Sequence, residues 1–242
     1  MGFRALTGLA LALVLPLAAC GGGDQNSNPP TATAERQALA RGVVAALPDT
    51  TLLISVSDVW VPAGGSAADA TPGILYVVAG SATVPGTGDV SAGNAAFLNP
   101  QPRLTLTNGG SVAAEWYLFA VEPSSSRSGP TPLGGATRIF ATDDLPPLPR
   151  LNQAEALTHI SLKPNAQVDQ YRPNGVEVLL GLAGRSTVRS DSFHGAQVLV
   201  AGKAGYELEG TQMLALNHGS AAAGYLSFIL LPDGTALTRP GR

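Results

Sequence analysis

The chain has 242 residues, enough for one large domain or two small ones, and carries a formal net charge of -3 with no basic block; that leaves no electrostatic footprint for nucleic acid. Charged residues make up 13% of the sequence against 45% hydrophobic, with 29 Gly and 19 Pro. The charged share is about half the roughly 25% usual in soluble domains, and the balance fits a compact, turn-rich β protein. A single cysteine excludes an intramolecular disulfide.

The first 19 residues, MGFRALTGLALALVLPLAA, place Arg4 before an apolar run from Leu6 to Leu17. The run is too short to span a bilayer and reads as a secretory signal peptide. Leu17-Ala18-Ala19-Cys20 then resembles a lipobox, and the resemblance implies cleavage before Cys20 and lipidation of its thiol. Several acyl chains on one residue anchor durably, since each buried methylene contributes about 0.8 kcal/mol. Gly21 follows the cysteine where an Asp tends to favour inner-membrane retention, so the expected location is the outer membrane of the cell envelope. Residues 20–34 (GGGDQNSNPPTAT and its flanks) are polar and rich in Gly, Asn and Pro, which predicts a flexible tether.

Glu35 to Leu47 has apolar residues near helical spacing and ends at Pro48, which predicts a short helix weakened by Gly42. From Thr51 the pattern changes to short β-rich runs, LLISVSDVWV, ILYVVAG, AAFLN, RLTLTN and EWYLFAV, separated by Gly, Pro or Asn. Residues 126–150 read as a connector, with Ser124-Ser125-Ser126 at a linker and Asp143-Asp144 in a solvated turn. A short helical piece is expected from Asn152 to Leu157, after which the β runs resume as HISLKP, VEVLLGLAG, AQVLVAG, QMLALN and GYLSFILLP.

The second β block repeats the first. Ala79-Gly80 and Thr83-Val84 match Ala183-Gly184 and Thr187-Val188, an offset of 104 (183 − 79). Ala92-Gly93, Asn108, Gly110-Ser111, Ala113-Ala114, Phe119 and Pro123 match Ala201-Gly202, Asn217, Gly219-Ser220, Ala222-Ala223, Phe228 and Pro232, an offset of 109 (201 − 92). One five-residue insertion after Val188 accounts for the change, so the register points to a duplicated unit.

These paired units resemble a bicupin, two double-stranded β-helix barrels in one chain. The cupin motifs are G-x5-H-x-H-x(3,4)-E-x6-G and G-x5-P-x-G-x2-H-x3-N, whose His and Glu residues hold a metal. In the second motif, Gly93 to Asn108 and Gly202 to Asn217 keep the family spacing, and Gly210 falls on the inner glycine. Leu104 and Met213 stand at the histidine. In the first motif, Glu177 keeps the E-x6-G spacing to Gly184, but the two histidine positions hold Gln170 and Arg172, or Tyr171 and Pro173 with the shorter gap. Their counterparts in the first repeat are Gly73 for the Glu, and Ser66 and Ala68, or Ala67 and Asp69, for the histidines. His159, His194 and His218 fall outside the motif; His194 and His218 read as loop or turn residues, and His159 as a loop residue or the start of a strand.

The resemblance implies an all-β fold of two tandem cupin-like double-stranded β-helix barrels, to which the residue pattern adds the short N-terminal and inter-domain helical pieces. The expected division is a signal peptide (1–19), a tether (20–34), an N-terminal barrel (35–125), a connector (126–150) and a C-terminal barrel (151–242). Neither barrel is expected to hold a metal or cofactor, because one carboxylate is not a ligand set for a hard or borderline ion. No GxSxG, Walker, HExxH or CxxC pattern is present. Trp60, Trp116, Tyr117 and Tyr225 are expected in core or inter-barrel packing. The resulting reading is a metal-free binding or structural lipoprotein, with a cupin-type isomerase or dioxygenase as the alternative. Its candidate ligand site lies in the C-terminal barrel at Glu177, Arg172, Gln170, Tyr171 and Met213. There Glu177 either pairs with Arg172 or meets water at the barrel mouth.

Overall fold

A computed structural model describes residues 34–44, 47–99, 104–149, 152–192 and 194–241. The expected signal peptide, Cys20 and nearly all of the tether lie outside the described residues. Nineteen strands are defined: β1 (Glu35–Val44), β2 (Leu52–Val61), β3 (Ser66–Ala70), β4 (Gly73–Ala79), β5 (Ser81–Val84), β6 (Gly88–Ser91), β7 (Ala95–Leu98), β8 (Leu104–Thr107), β9 (Ala114–Pro123) and β10 (Thr137–Ala141) in the first part. The remainder are β11 (Gln153–Leu162), β12 (Tyr171–Pro173), β13 (Val176–Ala183), β14 (Ser186–Ser190), β15 (Ala196–Leu199), β16 (Ala204–Glu207), β17 (Met213–Leu216), β18 (Ala223–Pro232) and β19 (Thr238–Pro240). Among the described residues the helical content is a 3-10 turn at Ser124–Ser128.

Each barrel is a sandwich of two antiparallel sheets. The first pairs β10-β2-β9-β4-β7 with β3-β8-β5-β6, and the second pairs β1-β11-β18-β13-β16 with β15-β14-β17-β12-β19. The central strands are apolar on both faces because both are covered. On β9, Trp116, Leu118 and Ala120 fill the first barrel, while Tyr117 and Phe119 face the second. On β18, Ala223 and Tyr225 fill the second barrel, while Leu226, Phe228 and Leu230 join the same inter-barrel layer. Phe119 and Phe228, equivalent in the repeat, stack on each other with centroids 5.3 Å apart. Contact between equivalent residues places them beside the pseudo-two-fold axis relating the barrels.

The duplicated register is built into matching hydrogen bonds. Asn108 Nδ2 donates to the carbonyls of Val61, Pro62 and Val112, and its Oδ1 accepts from Gly110 N–H. Asn217 Nδ2 donates to Leu162, Lys163 and Ala221, and its Oδ1 accepts from Gly219 N–H. Both asparagines are at most 1% exposed, so removing either side chain strands several buried backbone groups. Asn217→Ala is expected to lower stability by about 3 kcal/mol, given roughly 1 kcal/mol per hydrogen bond plus desolvation of unpartnered groups. Asn108→Ala should match it, as checked by urea denaturation of both variants. Gly80 and Gly184 match too, at φ +73° and +63°, with no room for a Cβ beside Ala114 and Ala223.

Three expectations about local structure need correction. Glu35–Val44 is not a helix: it is an edge strand pairing antiparallel with β11 of the C-terminal barrel, from Glu35 opposite Ser161 to Val44 opposite Gln153. Gly42 fits that role, because the Phe97 ring occupies the space its Cβ would take. The segment from Asn152 to Leu157 is not helical either, since Gln153 opens β11, and His159 lies within that strand. The boundaries at 35–125 and 126–150 also fail at the edges. The connector supplies β10, which pairs with β2 of the first barrel, whereas β1, ahead of the first barrel, belongs to the second. Each repeat therefore lends its leading strand to the other.

Candidate functional site

Strand parity sets the floor of the C-terminal barrel. On β13, Val176, Val178 and Leu180 face the inter-barrel layer, which turns Glu177 and Leu179 into the barrel. Glu177 is 1% exposed. Its Oε1 accepts from Tyr171 Oη at 3.2 Å and from Ser227 Oγ, while Oε2 has no hydrogen-bond partner. Tyr171 lies on β12 and Ser227 on β18, so three strands converge on one carboxylate.

Above this floor is a cavity of about 240 Å³. Ile160, Ile229, Leu237 and Ala38 form apolar wall, Thr158 and Thr238 add hydroxyls, and Arg36 completes the rim. Arg36 and Ala38 come from β1, so the swapped strand forms one side of the cavity. The Arg36 guanidinium sits over the Tyr171 ring, 5.2 Å from its centroid, a cation–π geometry.

Burial pushes the Glu177 carboxyl up to about 7, against the lowering effects of Ser227, Tyr171 and Arg36; Glu207 pushes further upward. Burial likewise raises Tyr171 well above the ordinary phenol value, with Glu177 as the next cause. Glu207, opposite Glu177 in the β13–β16 register, is fully buried. Its Oε1 accepts from Gln197 Nε2 at 2.7 Å, and its Oε2 lies 3.6 Å from His194 Nδ1.

Of the five residues expected at the site, the structure turns three into the barrel, and two of them, Glu177 and Tyr171, line the cavity while Met213 packs in the core. Glu177, Tyr171 and Met213 are buried together, with Tyr171 directly opposite Met213 in the β12–β17 register. Arg172 does not pair with Glu177. It alternates with Tyr171 on β12 and points to the other face, donating to Gly210 O at 2.6 Å and Gln212 Oε1 at 2.8 Å, with Asp191 at 3.7 Å. Gln170 is exposed and accepts from Gln212 Nε2, so it too lies outside the cavity. Sequence reasoning missed Arg36, which arrives through the strand swap, and Ser227, which the parity of β18 could have revealed. It also undervalued His194, a turn residue whose ring packs edge-on against Tyr206 at 4.7 Å beside Glu207. His218 is exposed at a turn. Trp116 and Tyr225 are in the barrel cores and Tyr117 between the barrels, but Trp60 is 64% exposed.

The N-terminal barrel lacks this chemistry at equivalent positions. Tyr171, Glu177 and Ser227 correspond to Ala67, Gly73 and Leu118 (171 − 104, 177 − 104 and 227 − 109). A Cβ at Gly73 would lie 2.1 Å from the Phe119 carbonyl oxygen, so no side chain fits there. The connector also enters this barrel: Leu133 is fully buried in its core, and Gly134 N–H donates to Ala68 O at 2.8 Å.

No protein-family model matches the sequence. No curated protein matches it either. Solved structures do resemble it. A Lactobacillus farciminis oxalate decarboxylase in a formate complex aligns at TM-score 0.54 and 13% identity, covering 83% of each chain. A Bacillus subtilis oxalate decarboxylase aligns at TM-score 0.52 and 14% identity, covering 85% of this chain and 77% of that one. AerE from Microcystis aeruginosa aligns at TM-score 0.51 and 10% identity, covering 80% of this chain and 98% of that one. At such identities the likeness establishes architecture: the chain is an all-β protein with the cupin fold.

Proposed function

We propose that this chain is an envelope-anchored lipoprotein whose C-terminal barrel binds a small organic ligand without a metal ion. One observation carries the binding reading. A fully buried carboxylate, Glu177, lines a cavity and keeps one oxygen without a protein partner, and burying such an atom is unfavourable unless something satisfies it. The lipoprotein reading rests on Cys20 and the LAA that precedes it. Exchanging Cys20→Ser is expected to abolish acyl labelling and release the protein from membranes; retention of the variant would remove the anchor.

The neighbouring Bacillus subtilis enzyme has Mn(II) centres, but the donors here do not fit one. Around Glu177 the cavity offers a phenol, hydroxyls and alkyl groups; Gln170 and Arg172 point away, and Met213 replaces the motif histidine. Among the described residues, no cluster of three or more His, Cys, Asp or Glu is placed to hold a metal ion. Elemental analysis of the purified chain should give well under one equivalent of Mn, Fe, Ni or Zn, and a stoichiometric metal defeats the metal-free reading.

The cavity itself is tested with a thermal-shift screen of small organic compounds on the wild type and on Ala38→Trp. Ala38 is exposed on β1 at the rim, so the indole should block the entrance without disturbing the core. Compounds that raise the melting temperature of the wild type should lose that effect in the variant; persistence of every shift places binding elsewhere. The alternative, an enzyme, draws on the Glu177 carboxyl at about 7, a value suited to proton transfer near neutrality. Metal-free isomerisation is the form this donor set supports.

A further inference from the structure

We infer that the C-terminal barrel takes a short ω-amino acid, with its ammonium on Glu177 and its carboxylate towards Arg36. This rests on the cavity-binding reading and deepens it by assigning charge and polarity to the ligand. The inference follows from how the cavity is charged along its length. At the floor the charged group is a carboxylate, and both neighbouring hydroxyl donors, Tyr171 and Ser227, are already spent on Oε1. Oε2 therefore needs a donor from the ligand. An ammonium supplies that hydrogen bond together with the opposite charge, which strengthens it over a neutral hydroxyl. An anion in the same place meets a like charge in a site of low dielectric.

The rim carries the opposite sign. Arg36 lies over the Tyr171 ring with its guanidinium exposed, leaving donors to face an approaching carboxylate. Between floor and rim run Ile160, Ile229 and Leu237, whose alkyl surfaces suit methylenes. A cavity of about 240 Å³ corresponds to roughly eight waters at about 30 Å³ each, which limits the ligand to a short chain. Positive inside, apolar between and negative outside is the complement of this cavity.

Protonation supplies an independent readout. The groups facing Glu177 are Arg36 from β1, Tyr171 from β12, Glu207 from β16, and Ser227 and Tyr225 from β18. Arg36, Tyr171 and Ser227 favour the carboxylate, but burial outweighs them. An ammonium binds the ionised form, so affinity should rise as pH climbs towards about 7, by up to tenfold per unit, and level off above it.

The test is calorimetry at pH 8 on the detergent-solubilised full chain, using 5-aminopentanoate, pentylamine, pentanoate and pentan-1-ol as probes. The zwitterion should bind at least tenfold more tightly than pentanoate or pentan-1-ol. Glu177→Gln, nearly isosteric, should weaken 5-aminopentanoate at least tenfold and abolish the pH dependence. Arg36→Ala, at an exposed position, should weaken 5-aminopentanoate at least threefold more than it weakens pentylamine, which has no carboxylate for Arg36 to meet, and it keeps the test decisive should Glu177→Gln fold poorly; an equal effect on the two probes overturns the assignment of the carboxylate to Arg36. Equal or tighter binding of pentanoate or pentan-1-ol overturns the inference; if Ala38→Trp removes that binding, the cavity reading survives without it. Absence of binding by all four probes also overturns the inference, and the compound screen then judges the cavity by itself.

Discussion

Residues 34–125 and 126–241, produced as separate chains, are each expected to be unfolded or insoluble, and to fold when co-expressed. The reason is the reciprocal loan of edge strands. The first piece carries β1 but not its partner β11, and it lacks β10, which completes its own sheet beside β2. The second piece carries β10 and lacks β1. Each half alone would expose an unpaired edge, an invitation to aggregation. It would also expose the inter-barrel layer that contains Leu52, Ile54, Phe119, Leu157, Phe228 and Leu230, all buried in the intact chain. Burying a large apolar side chain contributes about 1.5–3 kcal/mol, so losing this layer exceeds the 5–15 kcal/mol by which domains are commonly stable. The loan is also secured by charge: Arg138 of β10 donates to Glu122 of β9 at 3.2 Å, with both side chains largely buried. Circular dichroism of each piece alone and of the co-expressed pair decides the matter. A cooperative thermal transition in either isolated half would show that the swap is dispensable.

The repeat was legible because its markers are backbone devices. Gly80 and Gly184 need a positive φ and bare Cα, and Asn108 and Asn217 clamp the same carbonyls in each copy. Such residues resist replacement for reasons local to their turns, so the register shows even where ligand positions have changed. The strand at 35–44 was illegible because it is an edge strand with a mostly exposed, non-alternating face; its pairing with β11, far along the chain, overrides local spacing. The same distance hid Arg36 from the site. Glu177 is placed by its E-x6-G spacing to Gly184, and parity on β13, with apolar neighbours on both sides, agrees with that position. Arg172 was misplaced because it was read by motif position; one residue of parity on β12 puts Tyr171 inside and Arg172 outside.

Stability should fall as the solution is made alkaline from about pH 5. Burial pushes Glu155 up to about 8 and Glu177 up to about 7, whereas both revert to ordinary carboxyls, near 4.5, in the unfolded chain. Between those values the folded protein holds protons that the unfolded chain has released. The stabilising contribution is therefore complete below about 4.5 and is lost as pH rises through 7 and then 8. At about 1.4 kcal/mol per pH unit for each group, the two together withdraw several kcal/mol, a large part of ordinary domain stability. His159 acts oppositely: burial lowers it, so its contribution is lost as pH falls through the region below about 6.5, which sets the acid side of the optimum. Glu155 is the cleaner probe, since burial is the cause of its shift and it lies outside the proposed ligand cavity. Glu155→Gln keeps the shape and cannot ionise, so urea denaturation at pH 5, 7 and 9 should show a decline about half as steep as in the wild type, with the variant the more stable of the two at pH 9. A wild-type profile that is flat or rising over this range would mean that these carboxyls ionise freely in the folded state.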